Sequence, residues 1–75
     1  MNYSKLSDVI ERSPNKVSGE WVFKGTRVPL TALYENLRDG ASIDQFLEWF
    51  PGVERSQVVA VFEHEIESIE ELALA

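Results

Sequence analysis

Phe23-Lys24-Gly25-Thr26-Arg27-Val28-Pro29 is a strand end turned by a glycine, and it runs directly into two apolar series at helical spacing. The first series is Leu30, Leu33, Tyr34 and Leu37; the second is Ile43, Phe46, Leu47 and Phe50. Both follow the i, i+3, i+4, i+7 rule that gathers apolar side chains on one face of a helix. The residues around them supply punctuation. Pro29 suits the first position of a helix, where its missing N–H costs nothing. Gly40 suits the left-handed residue that ends one. Ser42, with Gln45 three residues on, has the spacing of a capping box. Pro51-Gly52 closes the second helix, and a third starts near Glu54 or Arg55, with Val53 and Val58 as a hydrophobic staple across its start. Three short helices joined by tight turns predict a helix-turn-helix core.

Upstream, Val9-Ile10-Glu11 reads as a short strand ended by the turn signal Ser13-Pro14-Asn15, and Trp21-Val22-Phe23 as a second strand. Gly25 is free to take positive φ in the turn that follows, and Thr26-Arg27-Val28 is placed to pair back. Alternation sends Trp21 and Phe23 to one face and Val22 to the other, without saying which is core. Residues 1–8 show no persistent period and predict a loose or briefly helical arm. In the third helix Val58, Val61 and Phe62 form the buried face. Glu65 falls on the same stripe, where a core does not accept an unpaired carboxylate. The core is therefore expected to end near Phe62. Beyond it Ile66, Ile69 and Leu72 resume an apolar stripe fenced by Glu67, Glu70 and Glu71. The expected architecture is a mainly helical, small α+β single domain over residues 1–75. It comprises a β-hairpin region at 9–28, a three-helix core at 29–65 and an acidic helical extension at 66–75.

A chain of 75 residues is near the size at which one core barely suffices, so a homodimer is the simplest source of added stability. A hydrophobic content of 44% argues against wholesale disorder. The absence of cysteine excludes disulfides and thiolate metal sites and fits a reducing compartment. No apolar run has the length of a membrane span and no signal-peptide core is present, so a soluble, cytoplasmic protein is expected. The net charge of −6 is unevenly distributed. Residues 1–29 carry Lys5, Arg12, Lys16, Lys24 and Arg27 against Asp8, Glu11 and Glu20, a net +2. Residues 54–75 carry Arg55 against Glu54, Glu63, Glu65, Glu67, Glu70 and Glu71, a net −5. A basic head and an acidic tail suit a protein partner at least as well as nucleic acid.

The residues offer four kinds of chemistry. The turn at Lys24-Gly25-Thr26-Arg27 offers backbone N–H groups, two cations and a hydroxyl to an anion, although so short a motif is more often a plain turn whose cations face water. His64, Glu67 and Glu71 share one helical face at metal-ligand spacing, but a lone histidine on an acidic helix is usually only solvated; no metal or cofactor is expected. No nucleophile, base and pocket combine, so no catalytic residue is assigned and the chain is not expected to be an enzyme. In a helix-turn-helix the third helix would present Ser56, Gln57, Val59, Ala60 and Glu63 outward, with Arg55 at its start. Ser56 and Gln57 then reach base edges, and Arg55 a guanine or a phosphate. Shape supports DNA binding, whereas the charge of that face opposes it. Lys24 and Arg27 of the hairpin would have to share the task.

Gly25-Thr26-Arg27-Val28-Pro29, followed by Leu37, Gly40, Ile43, Phe46, Leu47 and Phe50-Pro51, resembles the domain-of-unknown-function 433 family of small bacterial and archaeal proteins. The resemblance covers about residues 9–65. It implies a homeodomain-like helix-turn-helix core behind N-terminal strands. It also implies a VapB-like antitoxin that binds and silences a PIN-like ribonuclease toxin, with operator DNA as a further partner. Ser18-Gly19-Glu20-Trp21 departs from the Gly-Gly-Lys-Pro that often precedes the family's second strand, and Glu54 replaces the usual Ser/Thr cap. Toxin binding is expected at Ile66, Ile69 and Leu72, with closure of a homodimer or packing back on the hairpin as the alternatives for that stripe; DNA or anion binding is expected at Lys24, Arg27, Arg55, Ser56 and Gln57. A stand-alone transcription regulator and a protein-interaction module unrelated to toxins are the competing expectations.

Overall fold

A computed structural model of the chain describes residues 6–12 and 19–74, the last by its backbone alone. Strands β1 (Ile10–Arg12) and β2 (Trp21–Phe23) pair antiparallel, with Ile10 opposite Phe23, Glu11 opposite Val22 and Arg12 opposite Trp21. Helices α1 (Leu30–Arg38), α2 (Ile43–Trp49) and α3 (Arg55–Leu74) follow. This is the expected small α+β order, a two-stranded hairpin ahead of three helices. The turn signal at Ser13-Pro14-Asn15 and the cation Lys16 lie outside the described residues, as does most of the N-terminal arm.

Local chemistry explains where each element stops. Gly25 takes a φ of 82°. The hydroxyl of Thr26 donates to the Phe23 carbonyl at 2.7 Å and accepts from the Val28 N–H at 3.0 Å, so one side chain closes the turn from both ends. The chain then pairs back: Phe23 donates to the Val28 carbonyl at 3.0 Å, and Pro29 bridges to Val22. That bridge corrects the expectation for Pro29. It holds the residue extended, with φ −70° and ψ 150°, so Pro29 caps α1 from outside and Leu30 is the first helical residue. At the far end Gly40, at φ 100°, donates to the Leu37 carbonyl and Ala41 to that of Asn36. These two bonds form a Schellman stop. Ser42 and Gln45 form the predicted capping box, at 2.9 and 3.1 Å. Phe50 leaves the helix because the following proline disfavours helical backbone before it.

The core joins all the elements. Ile10, Phe23, Leu30, Leu33, Phe46, Val53, Val58 and Val61 are buried together. The rings of Phe23 and Phe46 lie 6.2 Å apart, and those of Phe46 and Phe50 lie 4.8 Å apart. Leu37, Leu47 and Phe62 pack on this cluster from its rim and are only half-buried. Phe23 is the core-facing residue of β2, yet Val22 on the opposite face is fully buried too, outside the main cluster. The arm is not loose at its end. Leu6 is buried in the core, and the Val9 N–H donates to its carbonyl at 2.8 Å. An apolar side chain next to an open core edge gains more from burial than from solvent freedom.

Candidate interaction surfaces

The glycine turn of the hairpin already holds an anion of its own. The Gly25 N–H donates to Glu11 Oε2 at 2.7 Å. Lys24 donates from its backbone to the Val9 carbonyl at 2.9 Å and from Nζ to the Ser7 carbonyl at 3.3 Å. The Thr26 N–H and hydroxyl both return to Phe23. The donors that suggested an anion site are thus largely spent inside the turn. Arg27 is exposed and forms no hydrogen bond or ion pair among the described residues.

The start of α3 differs from the sequence expectation at one decisive residue. Gln57 does not face outward; it is only 8% exposed. Its Oε1 accepts from the Glu54 N–H at 2.9 Å, and its Nε2 donates to the carbonyls of Val9 and Lys24, each at 3.2 Å. A buried amide satisfied in this way cannot turn toward a base edge without taking a partner from the Glu54 N–H and the Lys24 carbonyl, and one of two from the Val9 carbonyl. Ala60, expected outward, is partly buried as well. Ser56, Val59 and Glu63 do face solvent. Arg55 is also exposed but pairs with Asp44 of α2, which offsets its charge locally. The structure therefore keeps Ser56 and Arg55 on one surface, separates Gln57 from it, and spends the one cation on a neighbouring acid.

Past the core, α3 continues as an uninterrupted helix to Leu74. Ile66, Ile69 and Leu72 are 54%, 63% and 75% exposed. Glu63, Glu67, Glu70 and Glu71 around them are exposed as well. Glu65, on the core stripe, is half-buried near Tyr34, whose ring meets that of Phe62 edge-on at 6.2 Å. Burial, and secondarily the charge of Glu65, push the Tyr34 phenol up to about 12. Burial and the nearby carboxylate thus hold this phenol neutral more firmly than a free one. Among the described residues, no group of three or more His, Asp or Glu side chains could hold a metal ion, and no helix is long and apolar enough to cross a membrane.

Sequence reasoning passed over two features. Glu11 fills the glycine turn, which its place opposite Val22 in the hairpin register allows but its sequence neighbours do not reveal. Arg12 donates from Nε to the Gly19 carbonyl at 2.7 Å and sets its guanidinium 5.9 Å from the Trp21 ring, beside an open cleft of about 420 Å³ that Glu20 and Thr31 also line. The role of Gln57 had a signal in the sequence: it stands three residues after Glu54, the spacing of a capping-box partner.

With this geometry in hand, the family model described as "Protein of unknown function (DUF433)" matches residues 10–64. No curated protein and no solved structure matches the chain.

Proposed function

Since the chain belongs to the DUF433 family, whose function is not defined, we propose a function from its surfaces: an antitoxin that neutralises a ribonuclease of the PIN type in the cytoplasm by protein–protein contact. The observation that carries this reading is the tail of α3. Three large aliphatic residues at helical spacing stand in solvent beyond the core, on a helix otherwise covered with glutamate. Leaving each of them in water forgoes roughly 1.5–3 kcal/mol, which a partner surface recovers. An enzyme that cleaves RNA needs cations along its substrate groove, and an acidic amphipathic helix suits that groove in charge and in shape. The match to the family model ends at residue 64, so the tail lies outside it.

DNA binding is secondary. The three-helix order and the exposed Arg27 and Ser56 favour it, while the pairing of Arg55 with Asp44 and the burial of Gln57 count against a third helix that reads bases. The test is co-expression with the product of the neighbouring gene. The intact chain is expected to restore growth and RNA integrity, and the double variant Ile66→Asp, Ile69→Asp to fail while remaining folded. A chain truncated before residue 66 that neutralises as well as the full one overturns the reading, as does a neighbour with no ribonuclease activity.

A further inference from the structure

We infer that the exposed stripe of α3 pairs with a single amphipathic helix whose flanks carry lysine or arginine, rather than with a second copy of this chain. The stripe is longer than its three exposed aliphatics. Val59, Phe62, Ile66, Ile69 and Ala73 follow one another at intervals of three, four, three and four residues, the spacing of a coiled-coil seam. It runs for about 21 Å along the helix. It begins within the folded domain, where Val59 is 44% exposed and Phe62 is half-buried beside Tyr34, and it ends in open solvent. The seam therefore has one end anchored by the core and the other unpartnered.

The flanks of the seam select the occupant. Glu63 and Glu70 border it on one side; Glu65 borders it on the other, followed by Leu72, which widens the apolar face. In a parallel pair of copies Glu65 would stand opposite Glu70 of the second copy, and in an antiparallel pair Glu63 would stand opposite that Glu70. Either orientation sets like charges together at the positions that determine coiled-coil pairing. Glu67 and Glu71, further round the helix, add to the repulsion and supply no cation. Within α3 the only lysine or arginine is Arg55, which pairs with Asp44 outside the seam. A helix with basic flanks meets none of this repulsion and satisfies both borders. This inference rests on the tail being the partner-binding element and adds the form and charge of what it binds.

The test titrates the intact protein with a synthetic amphipathic helix of about three heptads, with an isoleucine and leucine seam and lysine at the flanking positions. A peptide with the same seam and glutamate flanks is the control. The lysine peptide is expected to bind, to perturb amide resonances along residues 59–73, and to weaken as salt rises. Ile69→Asp is expected to lower its affinity at least roughly tenfold at an unchanged melting temperature, because that side chain touches none of the core. The double variant Glu63→Lys, Glu70→Lys is expected to transfer preference to the glutamate peptide. Failure of the lysine peptide to bind, equal binding of both peptides, or self-association of the intact protein at neutral pH that Ile69→Asp abolishes would each overturn the inference. Neutralisation of the ribonuclease that depends on Ile69, in a protein that ignores the lysine peptide, removes helix pairing and leaves the antitoxin reading intact. Binding of the peptide without neutralisation does the reverse.

Discussion

At the scale of single residues, Gln57 is the buried polar side chain among the described residues, and it sits where α3 meets the hairpin. Its amide caps α3 through Glu54 and ties that helix to both ends of the hairpin through Val9 and Lys24. Gln57→Ala is expected to cost about 1–3 kcal/mol, read as a lower urea midpoint, because the Glu54 N–H and the Lys24 carbonyl lose the amide's hydrogen bonds in a nearly dry site, and the Val9 carbonyl keeps only its bond from the Lys24 N–H. Gln57→Glu should be no milder, since it sets a carboxylate against two carbonyl oxygens. Tyr34 gives a second residue-scale prediction. Its phenol ionises at about 12 in the folded chain against an ordinary 10.0, so folding holds this proton more tightly than the unfolded chain does. The stability this contributes is complete below pH 10 and is lost as pH rises toward 12. In a Tyr3→Phe background, which leaves Tyr34 as the one tyrosine, ultraviolet titration should show this raised midpoint. Glu65→Gln should lower it only in part, because burial is the larger cause.

At the scale of elements, α2 is the shortest helix and depends most on its ends. Seven residues fall well below the length at which a helix persists alone, so its cap and its buried face must hold it. Ser42→Ala removes half of the capping box and is expected to cost about 1 kcal/mol. Phe46→Ala should cost about 3–5 kcal/mol, since that ring is fully buried between Phe23 and Phe50. Leu47→Ala, one residue along on the rim, should cost clearly less. Chemical denaturation of the three variants checks the order. Equal losses at Phe46 and Leu47 would mean that α2 presents a different face to the core. The hairpin's glycine turn belongs to the same scale. An added Cβ at Gly25 meets nothing within 4 Å, so the roughly 1–2 kcal/mol expected for Gly25→Ala comes from its φ of 82° alone.

At the scale of the whole molecule, the charge separation and the length of α3 matter most. A net +2 over residues 1–29 is partly engaged already, through Lys24 on Ser7 and Arg12 on Gly19 and Trp21. The isolated protein is therefore expected to bind random DNA weakly at physiological salt. A fluorescence titration across several salt concentrations decides the point. Tight binding with a steep salt slope would move the site to Arg27 and Lys24. Deletion of residues 66–75 should leave the melting temperature nearly unchanged, because Ile66, Ile69 and Leu72 bury little against the domain. A truncated chain that unfolds would assign the tail to the protein's own core.

The helices, their stops and the limit of the core were legible in the chain, because each depends on residues within a few positions of one another. The Gly40 stop, the Ser42–Gln45 box, the staple of Val53 and Val58 and the interruption at Glu65 are all such local matters. Pairings between distant segments were not legible. Pro29 was kept out of its helix by Val22, the Gly25 turn was filled by Glu11, and Arg55 was engaged by Asp44. For Gln57, polar and placed near the exposed start of a helix, the local pattern signalled only its capping bond to Glu54 and not its burial. Packing α3 against the hairpin brought two carbonyls from 48 and 33 residues away to its amide, and burial followed because only there could all three of its hydrogen bonds be made at once. Sequence by itself thus determined the elements and the exposed stripe beyond them. The tertiary structure alone decided which polar groups are spent inside the fold and which are left to meet a partner, since that depends on contacts between segments that no local pattern records.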